Sequence, residues 1–261
     1  MYRSRSTPLS ARRPLVNPFV RERQFVPRRT PRFFRKRVHA THRTSRRLSY
    51  ERVDRPMSFN VVVERQHGDH MALVNNQDIT SFIGYPIRGF NEGRCRDYIK
   101  LLTLNVSGMI TVRSLSTDAP MSSNGIVNGT FVLSFVLDKK PYLPDGVNTL
   151  PSFAELFGPF SAAYFNLRLL DSQRERFRLL GSVKKHVSCG ADEVEVPFKF
   201  KRTLSTTRST MWATFKDVDM GNSGGNYRNI SKNAILVSYA FVSMHNIKCE
   251  PYVQYELSYF G

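Results

Sequence analysis

The stretch VEVPFKFK, residues 194–201, decides the fold class, because its apolar and charged side chains alternate. Its apolar members share one face of an extended chain: Val194, Val196, Phe198 and Phe200. The opposite face carries charge, including Lys199 and Lys201. Successive side chains of a β-strand point to opposite sides, so this pattern predicts a strand with one face in a core and the other in water.

Other short stretches also have patterns typical of β-strands. VQYELSYF (253–260) alternates in the same way, whereas TFVLSFVL (130–137) and AILVSYAFV (234–242) are apolar at almost every position and suit strands buried on both faces. Further strands are expected at 57–63, 98–106 and 109–114, the last two being separated by Ser107-Gly108.

Helical signals are few. Ser152 and Glu155 form a capping-box pattern and Gly158 is a stop signal, which together predict one short helix. The segment 174–185 fits a helix or a strand equally well. Many short strands, frequent turn signals and few helices predict a mainly β protein, an antiparallel sandwich or barrel.

The positive charge is concentrated at one end of the chain. The formal net charge is +18, and residues 1–56 hold 17 of the 39 Lys and Arg but only 3 of the 21 acidic residues. This segment has no glycine, has 6 of the 14 prolines, and shows no helical or strand period. It cannot bury enough apolar surface to offset its ordering entropy, so we predict a disordered basic N-terminal arm (1–56) and a β-rich body (57–261).

Several function classes find little support. The odd number of cysteines, 3, indicates a reducing compartment rather than a disulfide framework. The first residues lack the apolar core of a signal peptide, and no stretch has the roughly 18 apolar residues of a membrane-spanning helix. Glu64, His67, Asp69 and His70 lie close in sequence, but their spacing favours a polar turn over a metal site. We expect no metal, no cofactor and no enzyme activity.

The arm has the composition of a nucleic-acid-binding segment. Arginine forks bind phosphate, and interleaved phenylalanines offer faces on which unpaired bases stack. The DNA-binding candidates are Arg28, Arg29, Arg32, Phe33, Phe34, Arg35, Lys36, Arg37, Arg43, Arg46 and Arg47. Basic clusters separated by a short polar spacer also fit a nuclear-import signal, for which the candidates are Arg28, Arg29, Arg35, Lys36, Arg37, Arg46 and Arg47.

Long phrases of the body resemble a known family. STMWATFKDVD (209–219), NISKNAILVSYAFVS (229–243), YELSYFG (255–261), PSFAELFG (151–158) and DYIKLLTLNV (97–106) are similar to the nuclear shuttle proteins of bipartite begomoviruses, which are plant geminiviruses. That family is related to geminivirus coat proteins, so the resemblance implies an antiparallel jelly-roll-like sandwich behind the basic arm.

The resemblance also implies a function. Members of such a family bind viral single-stranded DNA, and double-stranded DNA, without strong sequence specificity. They carry it between host nucleus and cytoplasm and pass it to a viral movement protein at the host cell periphery. The implied partners are the viral DNA, the movement protein and host import and export receptors. Contact with the plasma membrane is expected only through the movement protein, and we expect self-association into a homo-oligomer.

The family's other signals map less clearly onto this chain. A second import region would fall on Arg88, Arg94, Arg96 and Lys100, which are sparse. Export candidates in the later body are Phe177, Leu180, Val183, Val187, Val194, Val196 and Phe198, although such spacing also suits a core. A second DNA surface is a further expectation, on Lys139, Lys140, Lys184, Lys185, Lys199, Lys201 and Arg202. The rival interpretation is a structural coat protein that packages single-stranded DNA.

Overall fold

A computed structural model describes residues 57–89, 93–115, 126–143, 149–190, 193–217 and 224–261. The predicted arm, residues 1–56, lies outside these ranges. The described residues form ten strands: β1 (Phe59–Gln66), β2 (Gln77–Phe82), β3 (Tyr98–Ser114), β4 (Val127–Asp138), β5 (Phe177–Cys189), β6 (Val194–Thr203), β7 (Met211–Phe215), β8 (Ile230–Lys232), β9 (Ala234–Ser243) and β10 (Ile247–Phe260). One short α-helix, α1 (Phe153–Phe157), lies between β4 and β5.

All strand pairs are antiparallel and form two sheets. The first sheet has the order β1-β10-β3-β6, and β7 and β8 extend it beside the start of β3. The second sheet has the order β2-β9-β4-β5. When the two short strands β7 and β8 are set aside, the eight remaining strands run 1-8-3-6 and 2-7-4-5, the order of a jelly roll. The mainly β, antiparallel jelly-roll prediction is confirmed.

The core lies between the two sheets. Phe135 of β4 stacks on Phe200 of β6, with ring centroids 4.5 Å apart, and Phe131 packs near Phe198 at 6.0 Å. The apolar side chains of β6 thus face inward, as their alternation predicts, while Lys199 is exposed.

The central strands of the second sheet are buried on both faces. Every residue of β9 is buried, and β4 is almost as enclosed, because α1 and the 3-10 turn Phe160–Tyr164 cover their outer side. The helix has the predicted capping box: the Ser152 hydroxyl accepts from Glu155 N, and Glu155 accepts from Ser152 N at 3.0 Å. Gly158 ends it with φ of 90°.

Two local predictions are resolved or corrected. The ambiguous segment 174–185 lies mostly in strand β5. The two strands expected at 98–106 and 109–114 are instead one strand of 17 residues, β3. Gly108 is not a turn residue there: a Cβ at this position would lie 2.5 Å from Tyr252 O and 2.7 Å from Phe198 Cζ. The glycine leaves room for close neighbours within the sheet.

Candidate nucleic-acid interface

The first described residues of the body lie beside its C-terminal residue. Ser58 and Gly261 exchange two backbone hydrogen bonds of 3.2 Å each, and β1 starts immediately afterwards at Phe59. The predicted DNA-binding and import residues, Arg28 to Arg47, precede this point and lie outside the described residues.

Unpaired cations of the body occur on β6, at the outer face of the first sheet. Lys199 and Lys201 are exposed there, and Arg202 is exposed near the end of the same strand. None of the three has a hydrogen-bond or ion-pair partner among the described residues. These side chains are therefore available to an anionic ligand.

Several other cations of the same sheet already have partners. Arg113 and Lys248 both contact Glu250, at 3.1 and 2.6 Å, and Arg65 donates to Gln254 at 3.1 Å. A hydrogen bond from Lys248 helps to hold the pKa of Glu250 below its usual range. Among the described residues of this sheet, β6 has the largest group of unpaired cations, while Lys100 of β3 and Lys232 of β8 are single unpaired ones.

The predicted body cations do not form one surface. Lys139 follows β4 and donates to the carbonyl of Arg174 at 2.9 Å, while Lys184 on β5 donates to the carbonyl of Phe165 at 2.7 Å. Burial lowers the pKa of Lys184. Lys184 is in the second sheet and Lys139 directly follows a strand of it, whereas Lys199 and Lys201 are in the first sheet.

The sparse second basic region contains a structural arginine. Arg94 is fully buried, its guanidinium lies 3.6 Å from the centre of the Phe215 ring, and it donates two hydrogen bonds to Asp217, one of 2.6 Å. Arg88 also reaches Asp217, at 3.3 Å. The hydrogen bonds from Arg94 hold the pKa of Asp217 below its usual range. In the folded body Arg94 is unavailable to an import receptor.

The polar residues near His67 act within the fold. Glu64 accepts from Gly84 N at 2.6 Å and from Gln66 at 2.8 Å, and the His67 ring stacks beside Tyr252, with centroids 6.0 Å apart. Within the described ranges, no group of three or more His, Cys, Asp or Glu side chains is placed to hold a metal. Among the same residues, no helix is long and apolar enough to cross a membrane.

Sequence reasoning missed a cationic cleft on the second sheet's side of the body, here called the basic cleft. Its cavity volume is about 560 Å³, and it is lined by Lys139, Leu167, Arg168, Leu169, Arg174, Phe177, Arg178 and Leu179. A signal was present in the sequence, because Leu-Arg-Leu (167–169) and Phe-Arg-Leu (177–179) both place an arginine between apolar residues. Only the fold brings these two segments together.

Comparison with known proteins gives the family. Residues 16–261 match the sequence profile described as the geminivirus coat protein/nuclear export factor BR1 family. The chain belongs to this family. The resemblance found in the sequence is confirmed, and the family is one of coat and nuclear export proteins rather than of enzymes.

Family members with close sequences are nuclear shuttle proteins. The one from African cassava mosaic virus (isolate West Kenyan 844) is 56% identical over 83% of this chain and 85% of its own length. The one from the Nigerian isolate is 54% identical over 85% of this chain and 88% of its own. That of Indian cassava mosaic virus is 29% identical over 95% of this chain and 97% of its own.

Among solved structures, the 60-mer BFDV capsid protein aligns over 78% of this chain and 93% of its own length, with 11% identity. Its TM-score is 0.25, too low to indicate a shared fold. The jelly-roll assignment of this family member rests on its own strand order.

The export candidates of this family member lie in β5 and β6. Phe177, Leu180, Val187 and Phe198 are at most 5% exposed, and Val183, Val194 and Val196 are half-buried. An export receptor could reach the buried members only if the strand edge opened. Burial counts against a signal on the closed body, and export from this segment stays a prediction.

Proposed function

We propose that the chain binds viral single-stranded DNA, and double-stranded DNA, without strong sequence specificity and carries it between the host nucleus and cytoplasm. The observation that carries this proposal is the charge asymmetry: the arm holds 17 of 39 cationic and 3 of 21 acidic residues, in a chain similar to nuclear shuttle proteins. Arginine contacts to phosphate supply affinity that does not depend on base sequence.

The same arginines serve import in this proposal. Arg28, Arg29 and the run Arg35-Lys36-Arg37 would bind either phosphates or an import receptor, because a guanidinium engaged by one ligand is unavailable to the other. Cargo would then travel on neighbouring subunits of a homo-oligomer. Simultaneous full-affinity binding of DNA and receptor by a monomer contradicts this division.

The experiment that tests the proposal compares the full chain with an arm variant of the same length. In that variant the seven import candidates become glutamine: Arg28, Arg29, Arg35, Lys36, Arg37, Arg46 and Arg47. We expect loss of both single-stranded DNA binding at physiological salt and nuclear accumulation in plant cells. Unchanged binding and accumulation overturn the proposal for the arm. Metal-dependent cleavage of labelled DNA contradicts its non-enzymatic part.

Delivery to a viral movement protein, and through it to the host cell periphery, completes the proposed cycle. The family relationship supports this step. It predicts that the movement protein recruits the DNA complex, and not the chain alone, to the periphery in plant cells. Peripheral localisation of the chain without the movement protein contradicts it.

Nuclear export is the least accessible function in this geometry. Val183 and Val196 are two of the three half-buried export candidates, so Val→Thr at both positions removes apolar character at a cost of only about 1 kcal/mol in stability. If the segment is the export signal, the double variant should accumulate in the nucleus while its thermal unfolding changes little. Normal export by this folded variant refutes the assignment.

A second candidate function is favoured by one observation, the jelly-roll strand order, because viral capsid subunits use this architecture. A coat protein should assemble into closed particles on purified single-stranded DNA. A shuttle should form open complexes that dissociate as salt is raised. Electron microscopy of the complex at low and high salt separates the two functions.

A further inference from the structure

The basic cleft combines four cations with an apolar floor. Lys139, Arg168, Arg174 and Arg178 surround it, its lining contains no carboxylate, and Leu167, Leu169, Phe177 and Leu179 form the remaining lining. We propose that this cleft is a second DNA site, in the body itself, which binds consecutive backbone phosphates of single-stranded DNA. This inference rests on the proposed function and adds a defined location to it.

The cations come from different parts of the chain and are held on well-tied backbone. Lys139 N donates to Arg176 O at 3.0 Å, and Lys139 Nζ donates to Arg174 O at 2.9 Å, which joins the end of β4 to the approach of β5. Arg174 Nε donates to Leu169 O at 3.3 Å, which joins the opposite wall. The walls are therefore cross-linked by hydrogen bonds before any ligand arrives.

An ion pair between Arg176 and the buried Asp138 anchors the chain next to the cleft residues. Asp138 is fully buried and accepts from Arg176, at 2.7 Å, and from the hydroxyl of Tyr227. The Arg176 side chain is therefore paired within the fold, and it holds the backbone between Arg174 and Arg178 in place. Asp138 is the buried member of the pair while the Arg176 side chain is 34% exposed, and loss of Arg176 would leave a buried carboxylate with one partner fewer, so the pair anchors the segment.

The remaining cations are open to a ligand. Arg168 and Arg178 are exposed and have no ion-pair or hydrogen-bond partner among the described residues. Arg174 is shared with Asp171 at 2.7 Å, but that pair is exposed, with 58% and 87% of the two side chains accessible, and is weak. Cations of one sign around a low-dielectric cleft concentrate the field on an anion placed there.

Single-stranded DNA fits this chemistry better than a duplex. A cavity of about 560 Å³ is within the range of roughly 300–1,000 Å³ that holds small organic groups, such as one nucleotide unit. Arginine forks bind phosphate oxygens in pairs, and the apolar floor, of which only Leu179 is more than 8% exposed, offers a small contact to the sugar or base edge of an unpaired nucleotide. In a duplex the bases are stacked inside and could not reach this floor.

The test uses full-length protein with the arm intact. Arg168→Gln with Arg178→Gln removes the two unpaired cleft cations, and Arg208→Gln with Lys232→Gln is the matched control, since it removes two exposed cations that do not line the cleft and have no side-chain partner among the described residues. Fluorescence anisotropy measures binding to a labelled thymidine dodecamer over a range of salt. Because all four positions are exposed, both variants should unfold at the wild-type temperature.

The cleft variant should bind the dodecamer about tenfold more weakly at 0.15 M salt, with its log–log salt slope reduced by about 1.4, the value for two lost single-strand phosphate contacts. The control should lose no more than about threefold, as expected for long-range attraction alone. Equal losses in both variants, or none in the cleft variant, overturn the inference. If the cleft inference fails in this way but the wild-type protein binds the dodecamer, the proposed function still stands. If the wild-type protein does not bind the dodecamer at all, the proposed function itself is contradicted.

A second readout locates the contact directly. A dodecamer carrying 4-thiothymidine, irradiated on the wild-type protein, should cross-link to peptides spanning 167–179, and the cleft variant should lose that product. The alternative occupant is a phosphorylated peptide. If the cleft variant loses binding to a phosphoserine peptide but keeps wild-type DNA affinity, the DNA assignment is overturned.

Discussion

At the scale of single residues, Asp217 is the acidic partner of a buried arginine. Its positive φ of 42° is one that asparagine adopts readily, so Asp217→Asn removes the charge without backbone strain. Arg94 would then remain fully buried and would lose its ion pair with Asp217. We expect the free energy of unfolding at pH 7 to fall by about 3 kcal/mol, measured by urea denaturation. Asp171→Asn, in an exposed pair, should change it by less than about 1 kcal/mol.

The same residue predicts a pH dependence. Arg94 lowers the pKa of Asp217 below its ordinary value of 3.8, so the charged form stabilises the folded state. This contribution is complete above the unfolded pKa of about 3.9 and is lost as the pH falls through the lower folded pKa. The difference in unfolding free energy between wild type and Asp217→Asn should therefore shrink below about pH 4. A constant difference from pH 7 to pH 3 contradicts the assignment.

Cysteine reactivity is a second prediction at this scale. None of the three cysteines forms a disulfide; Cys189 and Cys249 are buried, and Cys95 is half-buried. Burial raises the pKa of the Cys249 thiol, which keeps it protonated and unreactive. A chromogenic disulfide reagent should label one thiol per native chain and three in denaturant, and Cys95→Ser should abolish the native reaction. Rapid labelling of two or more thiols in the native state is inconsistent with this packing.

At the scale of elements, side-chain alternation predicted the strands that have one face in water. It did not predict the conformation where a neighbouring segment determines it. Residues 194–201 and 253–260 alternate and form the expected strands, because one face of each packs in the core. Gly108 has the sequence signature of a strand break but lies in the middle of β3. Its lack of a side chain leaves room for Tyr252 and Phe198, which approach it closely across the sheet. Close approach between distant segments has no local signal.

This interpretation of Gly108 is testable. A methyl group there would clash with the Tyr252 carbonyl at 2.5 Å, a backbone atom that cannot rotate away. We expect Gly108→Ala to lower the free energy of unfolding by about 1–3 kcal/mol or more, seen as a reduced melting temperature. Gly190→Ala is the matched control, because nothing lies within 4 Å of its added Cβ. Equal melting temperatures for the two variants would show that β3 adjusts freely.

At the scale of the whole molecule, the sequence alone shows where the positive charge is concentrated. It does not show which charged residues form ion pairs with each other. The net charge of +18 divides into a strongly basic arm and a nearly balanced body, as composition shows. Within the body, Arg94 pairs with Asp217 and Arg176 pairs with Asp138, partners that lie 123 and 38 residues away in the sequence. The basic cleft also depends on the fold, because only there do Arg168 and Arg178, which have no partner among the described residues, come together with Lys139 and Arg174.

The salt dependence of DNA binding measures how arm and body share the ligand. If about ten arm cations contact single-strand phosphates, the full chain should show a log–log salt slope near −7. Replacing Arg28, Arg29 and the run Arg35-Lys36-Arg37 with glutamine removes five contacts and should reduce the slope by about 3.5. Arg168→Gln with Arg178→Gln should reduce it by about 1.4, and the two effects should add if arm and cleft bind separate phosphates of one strand. A wild-type slope near −2 would mean that the arm is not the main contact and would transfer the affinity to the body.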